Sequence, residues 1–84
     1  PFGPESGGTA IRFGLAAESR TALRIFDISG RLVRDLASGM LSAGEHRVNW
    51  NGRDDHGRAV SAGVYFYRLQ VGDQVESRRL VLLR

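Results

Sequence analysis

Few residues in this chain have the type and spacing to do chemistry. His46 and His56 are its only histidines, and it has no cysteine. The pair lacks a third ligand at the spacing a zinc site needs. Asp54-Asp55-His56-Gly57 is an oxygen-rich turn that could face a hard cation. The alternating ligands and closing glutamate of a calcium loop are missing, however, so Asp54 is expected to cap a turn instead. Ser29, Ser38, Ser42 and Ser61 each adjoin Gly or Ala in turn-like sequence. None has a histidine and a carboxylate placed to make it a nucleophile. Tyr65-Phe66-Tyr67 could form a stacking platform for a sugar, but strand alternation turns Phe66 away from its neighbours, and core packing is the expected role of the tyrosines. The expectation is a chain with no enzymatic activity, no metal and no cofactor.

Charge narrows the partners. Twelve basic residues, all arginine, stand against nine acids, for a formal net charge of +3. Residues 1–36 hold five arginines and four acids, residues 37–67 three and three, and residues 68–84 four and two. No segment is the clustered basic stripe with interleaved aromatics that nucleic-acid binding needs; the arginines alternate with acids as on a solvated sheet face. No apolar run approaches the ~20 residues of a membrane-spanning helix, so neither nucleic acid nor membrane insertion is expected. The opening on Pro1-Phe2, without an initiator Met, suggests a piece of a longer protein whose other modules lie upstream.

The chain is organised around the stretch from Val48 to Tyr67, which carries the only tryptophan. Val48 and Trp50 share one face of a strand, because side chains alternate along it. Asn51 to Gly63 follows as a long connection rich in Asn, Asp and Gly. It is expected to be pinned by side-chain-to-backbone hydrogen bonds and anchored by Val60. Upstream, residues 1–8 form a Gly/Pro/Ser-containing linker or edge segment, with one domain over 9–84. Thr9 to Leu15 alternates as a first strand, with Ile11, Phe13 and Leu15 on one face. Thr21 to Ile28 is the second, with Leu23 and Ile25 inward, and Asp27 to Gly30 is a tight turn into a third, Arg31 to Leu36.

Val33 and Leu36 are three apart, which breaks alternation and calls for a bulge or an early turn. A helix over Arg31 to Met40 competes with this strand, but the segment is short and lies between Gly30 and Ser38-Gly39. Gly39 to Gly44 reads as a loop and Glu45 to Trp50 as a fourth strand. Val64 to Val71 puts Tyr65, Tyr67, Leu69 and Val71 on the better core face. Gly72-Asp73 is a two-residue hairpin turn into Gln74 to Leu83. Leu80-Val81-Leu82-Leu83 is apolar on both faces, so this last strand is expected to be covered on both sides or to lie centrally in its sheet. Short strands, frequent turns and one tryptophan predict an all-β antiparallel sandwich, with Trp50, Tyr65, Tyr67, Leu23 and Ile25 in one buried layer.

The motifs resemble a known family. Pro1 to Pro4 leading to Thr9-Ala10-Ile11-Arg12-Phe13, then Ile25 to Leu36, Gly44, Trp50-Asn51-Gly52-Arg53-Asp54 to Gly57, and Gly63 to Leu69 occur in the order seen in C-terminal sorting domains of type IX secretion cargo. They are equally similar to the immunoglobulin-like domain of flagellar hook-capping proteins. The resemblance implies an immunoglobulin-like sandwich of about seven strands. On the sorting branch it implies a module that follows a cargo domain and is recognised by the outer-membrane translocon. A cell-surface transpeptidase then processes it, and the protein passes through the periplasm to the cell surface. Gly30, Val33 and Leu36, with the closing run Arg79, Leu80, Val81, Leu82, Leu83 and Arg84, match the segments tied to recognition. Arg84 stands where a terminal Lys is usual, and Asn51 where Asp often follows the Trp.

Sorting is therefore the leading expectation, with strand pairing at the last strand as its physical means. A structural hook-capping module and an accessory binding domain of an extracellular enzyme are the alternatives.

Overall fold

The computed structural model describes residues 9–83, which form six strands. They are β1 (Thr9–Leu15), β2 (Ser19–Phe26), β3 (Leu32–Leu41), β4 (Gly44–Trp50), β5 (Gly63–Val71) and β6 (Gln74–Leu82). The expected linker 1–8 and Arg84 lie outside the described residues. One sheet is the antiparallel pair β1-β4, and the other runs β3-β2-β5-β6, antiparallel throughout.

The described residues hold six strands, against the about seven the resemblance implied. The third strand runs unbroken from Leu32 to Leu41. The long connection after Trp50 closes on itself through the single bridge Arg53–Ala59 instead of supplying a strand. The helical alternative over Arg31 to Met40 is overturned, because Leu32, Arg34, Asp35 and Ala37 to Met40 all pair with β2. The expected loop from Gly39 to Gly44 shrinks to Ser42-Ala43, since β3 keeps its register with β2 as far as Ser19–Leu41.

The core forms where the two sheets face each other. Ile11, Phe13 and Leu15 of β1, Leu23 and Ile25 of β2, Trp50 of β4, Tyr65 of β5 and Leu82 of β6 are its buried members. Each set follows the two-residue period read from the sequence. Trp50 is fully buried, with its ring 5.1 Å from that of Tyr65 in an edge-on contact. Its indole N–H donates to the Arg53 carbonyl at 2.9 Å, so the polar atom that burial would strand is satisfied. Tyr65 donates its hydroxyl to the Ser61 carbonyl at 2.7 Å, a bond across the entry to a strand that sandwich folds use to fix the preceding loop. Tyr67 packs against this core but is only half-buried.

The four-stranded sheet is wider than the pair covering it. The expectation for the last strand fails for this reason. β6 is an edge strand, so of its apolar run only Leu82 is buried (1% exposed), Leu80 is half-buried, and Val81 and Leu83 are 52% and 65% exposed.

Candidate interaction surface

Two stretches of the sequence follow one rule and make one structure. In Asp27-Ile28-Ser29-Gly30-Arg31, the Asp27 carboxylate accepts from the Ser29 and Arg31 amides at 3.0 and 2.9 Å. The Gly30 amide donates to the Asp27 carbonyl, and the Asp27 amide to the Arg31 carbonyl. Asp54-Asp55-His56-Gly57-Arg58 repeats every bond: Asp54 accepts from the His56 and Arg58 amides, each at 2.9 Å, and Gly57 and Asp54 make the same two backbone bonds. Aspartate opens such turns because its short side chain reaches the amides two and four residues on. Gly30 and Gly57 stand at φ 91° and 81°, where any other residue would be strained. Asp54 thus caps a turn, as expected.

Both carboxylates are held below their ordinary range. The Ser29 hydroxyl bond is the largest cause at Asp27, and the Arg58 amide bond at Asp54. A carboxylate whose folded value is depressed leaves the folded chain with fewer protons than the unfolded one as pH falls through the ordinary value of 3.8. Its stabilisation is therefore complete above that range and is lost on acidification through the lower, folded values. Melting temperatures recorded from pH 7 to pH 2 should be level until about pH 5 and then fall. The double variant Asp27→Asn, Asp54→Asn, which keeps the accepting oxygen but cannot titrate, should fall less steeply; an identical acid limb would refute the assignment.

The second turn has a further task, which the sequence hid. β3 carries two register breaks against β2, which leave Leu36 and then Val33 without a directly opposed residue. Of the bulge or early turn that the broken alternation called for, the structure shows irregular register, at Val33 and Leu36 themselves, with Leu36 inside the strand. The Asp54–Arg58 turn docks on this part of β3. The Asp55 amide donates to the Val33 carbonyl at 3.0 Å, and the Asp35 amide donates to the Asp55 carboxylate at 3.0 Å. Arg34 closes the joint, with its guanidinium 3.7 Å from Asp55 and also donating to the Arg53 carbonyl. Val60 packs on the core, and its amide bonds the Gly52 carbonyl, so the connection is pinned at both ends as expected. The edge of β3 is thereby covered by its own chain at Val33 to Asp35.

The other residues singled out from sequence do not converge. Gly30 sits at the hairpin tip, whereas Val33 and Leu36 are half-buried in the bulged edge. Arg79 and Val81 lie exposed on the outer side of β6, on the other margin of the sheet. Leu80 and Leu82 turn inward, and Leu83 is exposed just past the strand. His46 is spent locally, its ring stacked on Phe13 at 5.3 Å and its Nε2 2.7 Å from the Ser42 carbonyl. Among the described residues no group of three His, Cys, Asp or Glu side chains is placed to hold a metal.

What sequence reasoning missed is the outer face of the four-stranded sheet. Leu32, Phe26, Phe66 and Arg79 lie in one row across β3-β2-β5-β6, and Val64 opposite Val81 in the adjoining one. Leu32, Phe66, Val64 and Val81 are exposed, and Ile28 lies 77% exposed at the hairpin tip beyond them. Arg68 lies over the Phe26 ring at 4.6 Å, and Arg24 pairs with Asp35 at 3.6 Å. Leu32, Phe66, Val64 and Val81 form an apolar area on an otherwise charged face, the kind of feature from which contact surfaces are built. The alternation of Phe26 and Phe66 against the inward set was the available signal.

Comparison with known proteins agrees with this geometry. The model of the FlgD Ig-like domain matches residues 3–74. Among curated proteins no sequence match was found. The crystal structure of FlgD from P. aeruginosa superposes with a TM-score of 0.72 at 19% identity, over 96% of this chain and 65% of that one. FlgD from Xanthomonas campestris, whose structure is described as giving insights into the hook capping essential for flagellar assembly, gives 0.69 at 23% identity, over 90% and 56%. PorZ, a surface component of the type IX secretion system of Porphyromonas gingivalis, gives 0.55 at 24% identity, over 79% of this chain and 8% of that one. The chain thus spans less than two thirds of each of these proteins, and at such identities the likeness is one of fold.

Proposed function

The chain belongs to the FlgD Ig-like domain family, and from that premise we propose that it is a non-catalytic structural module of a flagellar hook-capping protein. The family match over residues 3–74 carries this reading. The geometry supports it: among the described residues the two Asp turns and the Asp55 joint are spent on holding turns and an edge, and the outer face of the four-stranded sheet carries exposed apolar side chains. Such a module supplies shape and contact area to a scaffold through which other subunits are placed, and needs no reacting group.

Secretion sorting, the leading expectation from sequence, takes second place. Its support is the likeness to PorZ and the exposed side chains of the closing run. Export by the outer-membrane translocon and trimming by a transpeptidase belong to that second reading only.

One pair of experiments separates them. Deleting residues 9–84 in frame from the parent gene should leave cells non-motile with unfinished hooks under the electron microscope. In parallel, a reporter fused to this chain is compared with its Arg79→Ser, Val81→Ser, Leu83→Ser variant. All three sites are exposed, so the variant keeps the core intact. Normal hooks, together with a reporter whose export depends on those three residues, would overturn the hook-capping reading in favour of sorting.

A further inference from the structure

The two margins of the four-stranded sheet are treated in opposite ways. β3 is bulged twice, and the Asp55 turn occupies its edge. β6, at the other margin, runs nine residues in unbroken register with β5 and contains neither proline nor bulge. No described element pairs with its outer side. A long, regular and open edge is a template for another strand, and chains that avoid such pairing interrupt it as β3 is interrupted.

The charges along β6 say which strand. Antiparallel pairing that keeps inner faces together sets even-numbered residues opposite even-numbered ones, because side chains alternate. On β6 the charged residues are Glu76, Arg78 and Arg79. If a second copy pairs about a two-fold axis at Ser77, Glu76 of each copy faces Arg78 of the other, twice over. Moving the axis to Glu76, Arg78 or Arg79 instead puts like charges face to face, which opposes pairing. Within the strand, the Ser77 register alone matches a carboxylate with a guanidinium. In the single chain Glu76 and Arg78 meet only at 3.9 Å, with side chains 67% and 65% exposed, so both are free to re-pair.

We infer that β6 is a self-association edge: two copies join antiparallel through it, centred on Ser77, into one eight-stranded sheet with two Glu76–Arg78 cross-pairs.

Sedimentation equilibrium of the chain, from micromolar to millimolar concentration, should show a monomer–dimer equilibrium. Glu76→Arg and, separately, Arg78→Glu each place like charges opposite one another at two points and should raise the dissociation constant about tenfold or more. The double exchange Glu76→Arg, Arg78→Glu reverses both partners together and should restore the wild-type constant. Both sites are exposed, and circular dichroism of each variant verifies that the sandwich is intact. A chain that stays monomeric to millimolar concentration overturns the inference. So does a dimer indifferent to the single exchanges, or a double exchange that fails to restore it.

Discussion

Replacing Trp50 with alanine is expected to bring the domain close to unfolding. The indole is fully buried at the end of β4, edge-on to Tyr65, and its N–H holds the Arg53 carbonyl at the root of the long connection. Truncating a buried tryptophan costs about 3–5 kcal/mol, since the lost transfer energy is joined by a cavity that rigid strands cannot close. A chain of this size has on the order of 4–13 kcal/mol to lose. Trp50→Phe should cost less than Trp50→Ala: it keeps most of the packing and loses only the indole N–H bond to the Arg53 carbonyl, which still accepts from Arg34, at about 0.5–1.5 kcal/mol for that bond. Urea unfolding followed by circular dichroism measures both. A loss below about 1 kcal/mol for Trp50→Ala would mean that the sheets do not pack as described.

The closing run supplies the second large effect, and its pattern matters as much as its size. Leu82→Ala should cost about 2–5 kcal/mol, whereas Val81→Ala and Leu83→Ala should each stay within about 0.5 kcal/mol. The three residues are consecutive and chemically alike, yet Leu82 is 1% exposed while its neighbours are more than half exposed. Three unfolding curves decide it, and equal losses at all three would contradict an edge position for β6. The same pattern governs any test of this segment in a cell. Deleting Leu80 to Arg84 removes a core residue along with the exposed ones, so only substitutions at Arg79, Val81 and Leu83 separate recognition from folding.

Much of this architecture was legible before any coordinates. Ile11, Phe13 and Leu15, or Leu23 and Ile25, alternate too strictly for anything but half-buried strands, and the structure buries all five. Asp27 and Gly30 announced a turn in the same way, and Asp54 and Gly57 repeated it, because the bonds involved span four residues and depend on nothing distant. Even the broken spacing of Val33 and Leu36 was informative, since a bulge is a local irregularity that leaves its trace in the order of apolar residues. The last strand was misread for the opposite reason. A run of four apolar residues tells how much surface would gain from burial, not whether the opposing sheet is wide enough to bury it.

The candidate surface divides along the same line. Gly30, Val33, Leu36 and the closing run were chosen by likeness to a family, and the fold scatters them between a hairpin tip, a covered edge and an open one. The joint between Asp55 and β3 gave no sign in sequence, because Asp55 and Val33 are brought together only by the path of the long connection between the two sheets.

By itself, then, the sequence determined the strands, their inward faces, the two Asp-to-Gly turns and the role of Trp50, all of which follow from a period of two and from bonds between near neighbours. The tertiary structure alone decided that there are two strands in one sheet against four in the other, that β3 is closed and β6 open, and that Phe26 and Phe66 share an exposed face. Those are matters of which strand lies beside which, set by contacts between residues far apart in the chain, and no local pattern encodes them.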